Sequence, residues 1–151
     1  MYQMDFSKQE QFDLLEKFNV YELQQKFGWE ELYDVFTISR EEYINWEVQQ
    51  PLSSCVRRKK ETFDGLYFIE TNGQYEVYWQ ERGIINGLEA FSEYSSARRC
   101  LAEGTVPYFL YKEHRIHKEF KGTPNKQMQR GTFRSWLAHC VRYFSQLFKN
   151  P

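Results

Sequence analysis

Asn72-Gly73, set between the runs GLYFIET and QYEVYWQE, constrains the fold of this chain more than any other pair of residues. A two-residue turn of type I′ needs positive φ at both central positions, and asparagine and glycine tolerate that best. The turn fixes a register in which Thr71 faces Gln74 and Phe68 faces Val77. Side chains alternate across a strand, so Leu66, Phe68, Tyr75, Val77 and Trp79 share one face, and Tyr67, Ile69, Glu76 and Tyr78 the other. The first face is nearly all apolar and is expected in a core. The second is half polar, open to solvent, to a covering helix or to a partner.

Helical signals flank the hairpin. Ser7 with Glu10 and Ser39 with Glu42 form capping-box patterns. The first precedes Phe12, Leu15 and Phe18 at helical spacing, and the second precedes Tyr43 and Trp46. VYELQQKFG reads as a helix ending at Gly28. WEELYDVFTI carries Trp29, Leu32, Val35 and Phe36 on one helical face, and Pro51 closes the region. After the hairpin, ERGIINGLEAF supplies a third, antiparallel strand. A helix capped by Ser92 follows, turning Ala97, Cys100 and Leu101 inward and ending at Gly104. Another is expected from Thr105 and Pro107, with Val106, Phe109, Leu110, Ile116 and Phe120 in helical phase. KGTPNKQMQRG, about residues 121–131, reads as a flexible linker. Beyond Thr132, Phe133, Trp136, Leu137, Cys140, Val141, Phe144, Leu147 and Phe148 form one stripe of a terminal amphipathic helix. The expected fold is α+β: a small antiparallel sheet built around the central hairpin, with N-terminal and C-terminal helices packed on it, in a single domain of 151 residues.

No run approaches the roughly 18 apolar residues of a membrane span, and MYQMDFSKQEQ lacks the basic-then-apolar layout of a signal peptide. Cys55, Cys100 and Cys140 are odd in number and widely spaced, which suits reduced, buried packing thiols in a cytoplasmic protein. The net charge of −1 hides a polarity. Residues 1–50 carry 11 acidic and 4 basic side chains, residues 51–100 carry 7 of each, and residues 101–151 carry 3 acidic and 9 basic. Such asymmetry suits charged partners, and equally suits two ends that pair with each other.

Catalytic signatures are missing: there is no GxGxxG, P-loop, HExxH or GxSxG. His114 and His117, three apart, share a helical side with Lys112 or Lys118 near, a pattern open to RNA chemistry or to a solvated basic face. No carboxylate or cysteine completes a metal set around them. His139 and Cys140 are adjacent and so point about 100° apart on a helix, which is no nucleophile–base dyad. Arg57 to Lys60 read as a solvated strand edge or loop. Arg134, Arg142 and Lys149 give the last helix a basic face, suited to anionic lipid or to packing on a sheet. The reading is of a non-enzyme that takes no cofactor, metal or small-molecule substrate and binds neither nucleic acid nor membrane directly. What remains is a protein partner. Glu30, Glu31, Asp34, Glu41, Glu42 and Glu47 interleave with Trp29, Tyr33, Tyr43 and Trp46. Carboxylates around aromatic anchors would steer and hold a basic partner. Trp29 and Trp46 themselves fit the core faces of their helices better.

GLYFIETNGQYEVYWQERG followed by LEAFSEYSSARRCLAEG, about residues 65–104, resembles bacterial immunity proteins of contact-dependent growth inhibition and related polymorphic-toxin systems. The resemblance implies a cytoplasmic inhibitor that binds the C-terminal domain of one cognate toxin, most often a nuclease with a basic cleft. The acidic half, with Tyr33, Tyr43 and Tyr78 as contacts, would complement such a cleft. The alternatives are a small RNA-acting enzyme using His114 and His117, or a basic module for membranes or nucleic acids.

Overall fold

The computed structural model describes residues 5–113, and over these residues the chain is α+β, with five helices and one three-stranded antiparallel sheet. They group into two compact units: residues 5–43 with 106–113, and residues 44–105. The linker at 121–131, the helix after Thr132, Cys140, and His114 and His117 lie outside the described residues.

In the first unit, α1 (Lys8–Lys17) and α2 (Val20–Phe27) each begin at a reciprocal cap. The Glu10 N–H donates to Ser7 Oγ at 3.3 Å, and Ser7 N–H donates back to the Glu10 carboxylate at 2.8 Å. Asn19 and Glu22 repeat the device at 3.0 and 2.8 Å, in an N-V-Y-E string absent from the sequence reading. Each cap satisfies helix-end donors that otherwise have no partner.

The run WEELYDVFTI makes far less helix than its periodicity suggests. Only α3 (Leu32–Val35) forms, a single turn. The cause is a buried glutamine. Gln11 Oε1 accepts from the N–H of Thr37 at 2.7 Å and of Ile38 at 3.1 Å, while its Nε2 donates to Phe6 O and Thr37 Oγ1, both at 2.9 Å. Backbone donors committed to that amide, on the β-branched pair Thr37-Ile38, are lost to a continuing helix. Leu23, Leu32, Phe36, Ile38, Phe109 and Leu110 form the buried apolar set of this unit, with Phe36 and Phe109 stacked at 4.6 Å. Burial of each such side chain contributes about 1.5–3 kcal/mol. Directly after Pro107 the chain makes a 3-10 turn, Tyr108–Leu110, ahead of helical residues 112–113, and the rest of the helix expected there, with Ile116 and Phe120, lies outside the described residues. Lys112 Nζ then donates to Phe36 O at 2.6 Å and to Tyr33 O, closing the carbonyl end of α3. Ser39 and Glu42 cap α4 (Arg40–Glu47) as their spacing predicts.

The second unit is built on β1 (Gly65–Thr71), β2 (Gln74–Glu81) and β3 (Ile84–Phe91), in the order β1-β2-β3. Thr71 pairs with Gln74 and Phe68 with Val77, the predicted register. Asn72 and Gly73 have φ of 51° and 75°, as type I′ requires, and Arg82-Gly83 repeats that turn at 50° and 77°. Between Val77–Glu89 and Trp79–Asn86 the β3 strand holds one extra residue, a bulge at Gly87, whose φ is 62°.

Both faces of the hairpin are buried. On one, α5 (Tyr94–Gly104) packs on the sheet, with Tyr94 edge-on to Phe68 at 5.7 Å and to Tyr75 at 5.6 Å. The expected Ser92 cap is not made; Glu93 holds the N-cap position without a side-chain bond. On the other face Tyr67 and Tyr78 stack at 4.8 Å, 7° from parallel, and are buried with Ile69. The segment before β1 covers them. Tyr67 Oη donates to Phe63 O at 2.6 Å, and Gln80 Nε2 donates to Glu61 O and Phe63 O at 3.0 and 3.1 Å. Arg57 does more than sit at the surface. Its N–H donates to Leu66 O at 2.8 Å and its carbonyl accepts from Phe68 N–H at 2.9 Å, so it occupies the outer side of β1.

Candidate functional site

Of the nine residues expected at a partner surface, Glu30, Glu31, Tyr33 and Asp34 stay together in the first unit, on the turn into α3 and on α3 itself. The three carboxylates are exposed and Tyr33 is half-buried. Trp29, directly before Glu30 and Glu31 in the chain, is 52% exposed. That corrects its assignment to a core face: with α3 cut to one turn, Trp29 precedes the helix and takes no part in its stripe. Its ring lies 4.6 Å from Tyr108, whose hydroxyl donates to Trp29 O at 3.2 Å. Tyr33 meets the same Tyr108 ring edge-on at 5.7 Å. Burial raises the Tyr108 phenol above its usual range, opposed by a hydrogen bond from Gln24, so it stays a neutral donor beneath the indole. The outcome is an exposed tryptophan seated on a buried tyrosine and followed in the chain by exposed carboxylates.

The remaining expected residues go elsewhere. Glu41 is exposed on the first turn of α4, next to Glu42. Glu42 caps that helix and pairs with Lys8; the hydrogen bond from Lys8 and then that from Ser39 N–H pull its carboxyl down to about 2. Tyr43 is buried at 6% exposure and Tyr78 at 2%, which removes both from any contact surface. Alternation along the strand places Tyr78 correctly, but what covers that face is decided by residues 57–64, distant from β2 in sequence. Glu47 is half-buried in the second unit. Burial raises its carboxyl pKa, and the charge of Arg98 opposes the shift. Arg98, not among the helix residues expected to face inward, is itself buried and donates through Nη2 to Glu47 O at 2.8 Å and Gln50 O at 2.9 Å.

A second surface went unread in the sequence. Every residue of β3 from Ile84 to Ala90 is exposed, including Ile84 at 64%, Ile85 at 49% and Leu88 at 53%. Pairing across the sheet puts Ile84, Asn86, Glu89 and Phe91 on the α5 face, and Ile85, Leu88 and Ala90 on the face of Tyr78. The readable signal was IINGLEAF itself, with one charge in eight residues.

The cysteines divide. Cys100 is half-buried and burial pushes its thiol up to about 12, while Cys55 is exposed, against the expectation of a packing group. Among the described residues, no three of His, Cys, Asp and Glu converge as a metal set, and no helix is long and apolar enough to cross a membrane. No protein-family model, curated protein or solved structure matches the chain.

Proposed function

We propose that this chain is an immunity-type inhibitor, cytoplasmic and non-enzymatic, which binds the C-terminal domain of a cognate toxin, a basic nuclease, through the Trp29 surface. The observation that carries this reading is the half-exposed indole backed by buried Tyr108, with exposed Glu30, Glu31 and Asp34 following it in the chain. An indole held by its own scaffold loses little freedom on binding, and tryptophan is among the residues that dominate interface energies. The carboxylates act at longer range. They raise encounter rates with a basic cleft and weaken as salt rises. Glu41 lies among the same unit's carboxylates and adds to that field.

The test is calorimetry between the full chain and the toxin domain encoded by the adjacent upstream gene, at moderate salt. A 1:1 complex of nanomolar affinity that silences the nuclease is expected. Trp29→Ala should weaken it by a factor of about 30 or more, the cost of a strong anchor. Glu30→Lys, Glu31→Lys and Asp34→Lys together should slow association about tenfold and leave the far-UV circular dichroism unchanged. An absence of binding at micromolar concentrations ends the immunity reading. Binding untouched by both variants would move the contact to another surface.

A further inference from the structure

We propose that β3 is a self-pairing edge, joining two copies of the chain by antiparallel strand addition about a two-fold axis between Gly87 and Leu88. Strand edges in soluble proteins are guarded by charged side chains, lysine above all, by proline, by bulges or by cover. The outer side of β1 has its guard in Arg57. Among the described residues β3 has only the bulge at Gly87 and the charge of Glu89: it holds no lysine or proline, and Ile84, Ile85 and Leu88 stand exposed.

The bulge decides which partner this edge fits. The two-residue turn makes Glu81 and Ile84 a hydrogen-bonded pair, so Ile84 and Asn86 aim their main chain at β2. The extra residue at the bulge shifts the phase, and Glu89 and Phe91 also face β2. Ile85, Leu88 and Ala90 therefore aim their N–H and C=O groups outward. In a regular strand, residues 85 and 90, an odd number apart, would lie on opposite faces and could not pair with each other about a two-fold axis. The bulge brings them into phase. With the axis between Gly87 and Leu88, Ile85 faces Ala90 of the second copy, Ile84 faces Phe91, and Asn86 faces Glu89. Every cross-strand pair is then apolar or amide-to-carboxylate, and the two Leu88 side chains meet beside the axis on one face. Moving the axis onto Glu89 would set two carboxylates against each other, which is unfavourable. The strand is thus complementary to itself in one register, as a two-fold contact requires.

Two eight-residue strands bury less than the roughly 1,200–2,000 Å² of a stable interface. The dimer is accordingly concentration-dependent, with a Kd of about 1–100 μM. None of this rests on toxin binding, because the Trp29 surface uses other residues of another unit.

Sedimentation velocity on the full chain from about 1 to 200 μM, with hydrogen exchange read at β3, tests the proposal. A monomer–dimer equilibrium is expected, with protection of residues 85–90 that grows with concentration. Leu88→Lys, which sets two cations beside the axis, should raise Kd at least tenfold, and Ala90→Lys should do likewise. Leu88 and Ala90 are exposed, so near-UV circular dichroism should confirm intact folding in both variants. Asn86→Lys, facing Glu89 of the second copy, should tighten the dimer by about two- to fivefold. A chain that stays monomeric at 200 μM overturns the proposal, whether or not other residues of the same chain protect β3. So does a dimer that survives both Leu88→Lys and Ala90→Lys.

Discussion

Gln11 is the residue on which the first unit turns. Its amide satisfies two backbone donors 26 and 27 residues away, at Thr37 and Ile38, and one backbone acceptor five residues away, at Phe6, at full burial. Gln11→Leu keeps most of the volume but strands the Thr37 and Ile38 N–H groups. Leaving the buried Ile38 donor unpaired costs about 1–3 kcal/mol and the part-buried Thr37 donor less, so urea unfolding should show a loss of about 2 kcal/mol. A loss below 1 kcal/mol would mean that water or another group replaces the amide. Glu42 makes a pH-dependent case. Its folded carboxyl sits at about 2, below the usual value near 4.3, so its stabilisation is complete above about pH 4.3 and is lost as pH falls toward 2. The Lys8 and Glu42 side chains are largely solvated, which holds this contribution to about 0.5–1 kcal/mol. Glu42→Gln should therefore destabilise the protein at pH 6 and make no difference at pH 2, read from urea midpoints. Equal effects at both pH values would assign the loss to the Ser39 cap geometry alone.

At the scale of elements, the two turns of the sheet carry different stress. Asn72 enters the left-handed region easily, whereas Arg82 at φ 50° is a long side chain where asparagine or glycine is favoured. Asp64 holds it there: its carboxylate accepts the Arg82 N–H at 2.6 Å. Arg82→Asn keeps that N–H and relieves the backbone. It should raise stability by about 0.5–1 kcal/mol, seen as a shift in the thermal midpoint, while Asp64→Ala should lower it. The same contrast explains what could be read in advance. Short-range rules governed the Asn72-Gly73 hairpin, its register and the Ser7 and Ser39 caps, and all of these were legible. Helix length in WEELYDVFTI was not, because Gln11, more than twenty residues upstream, takes the backbone donors that periodicity assigns to a helix. Nor was the buried second face of the hairpin, which depends on where residues 57–64 fold.

For the whole molecule, the candidate site was legible as chemistry and less so as geometry. The carboxylates Glu30, Glu31 and Asp34 stand on the surface as their composition suggests, yet Tyr43 and Tyr78 were drawn into packing and Trp29 was pushed out of it. Charge is decided by local sequence; exposure of an aromatic ring is decided by the elements around it. Association through the Trp29 surface should accordingly respond to ionic strength. The on-rate for a basic partner is expected to fall several-fold between about 50 and 200 mM salt, as exposed charges are screened within about 8–10 Å, and a flat salt profile by stopped flow would place the contact away from these carboxylates. The outer side of β1 has a consequence of its own. A sheet that accepts neighbours on both sides can propagate without limit, whereas Arg57 fills one of the two positions from within the same chain. The sheet is left with a valence of one. Association through β3, as proposed, would stop at the pair, with the Arg57 backbone at its bridge to β1 as the chain terminator.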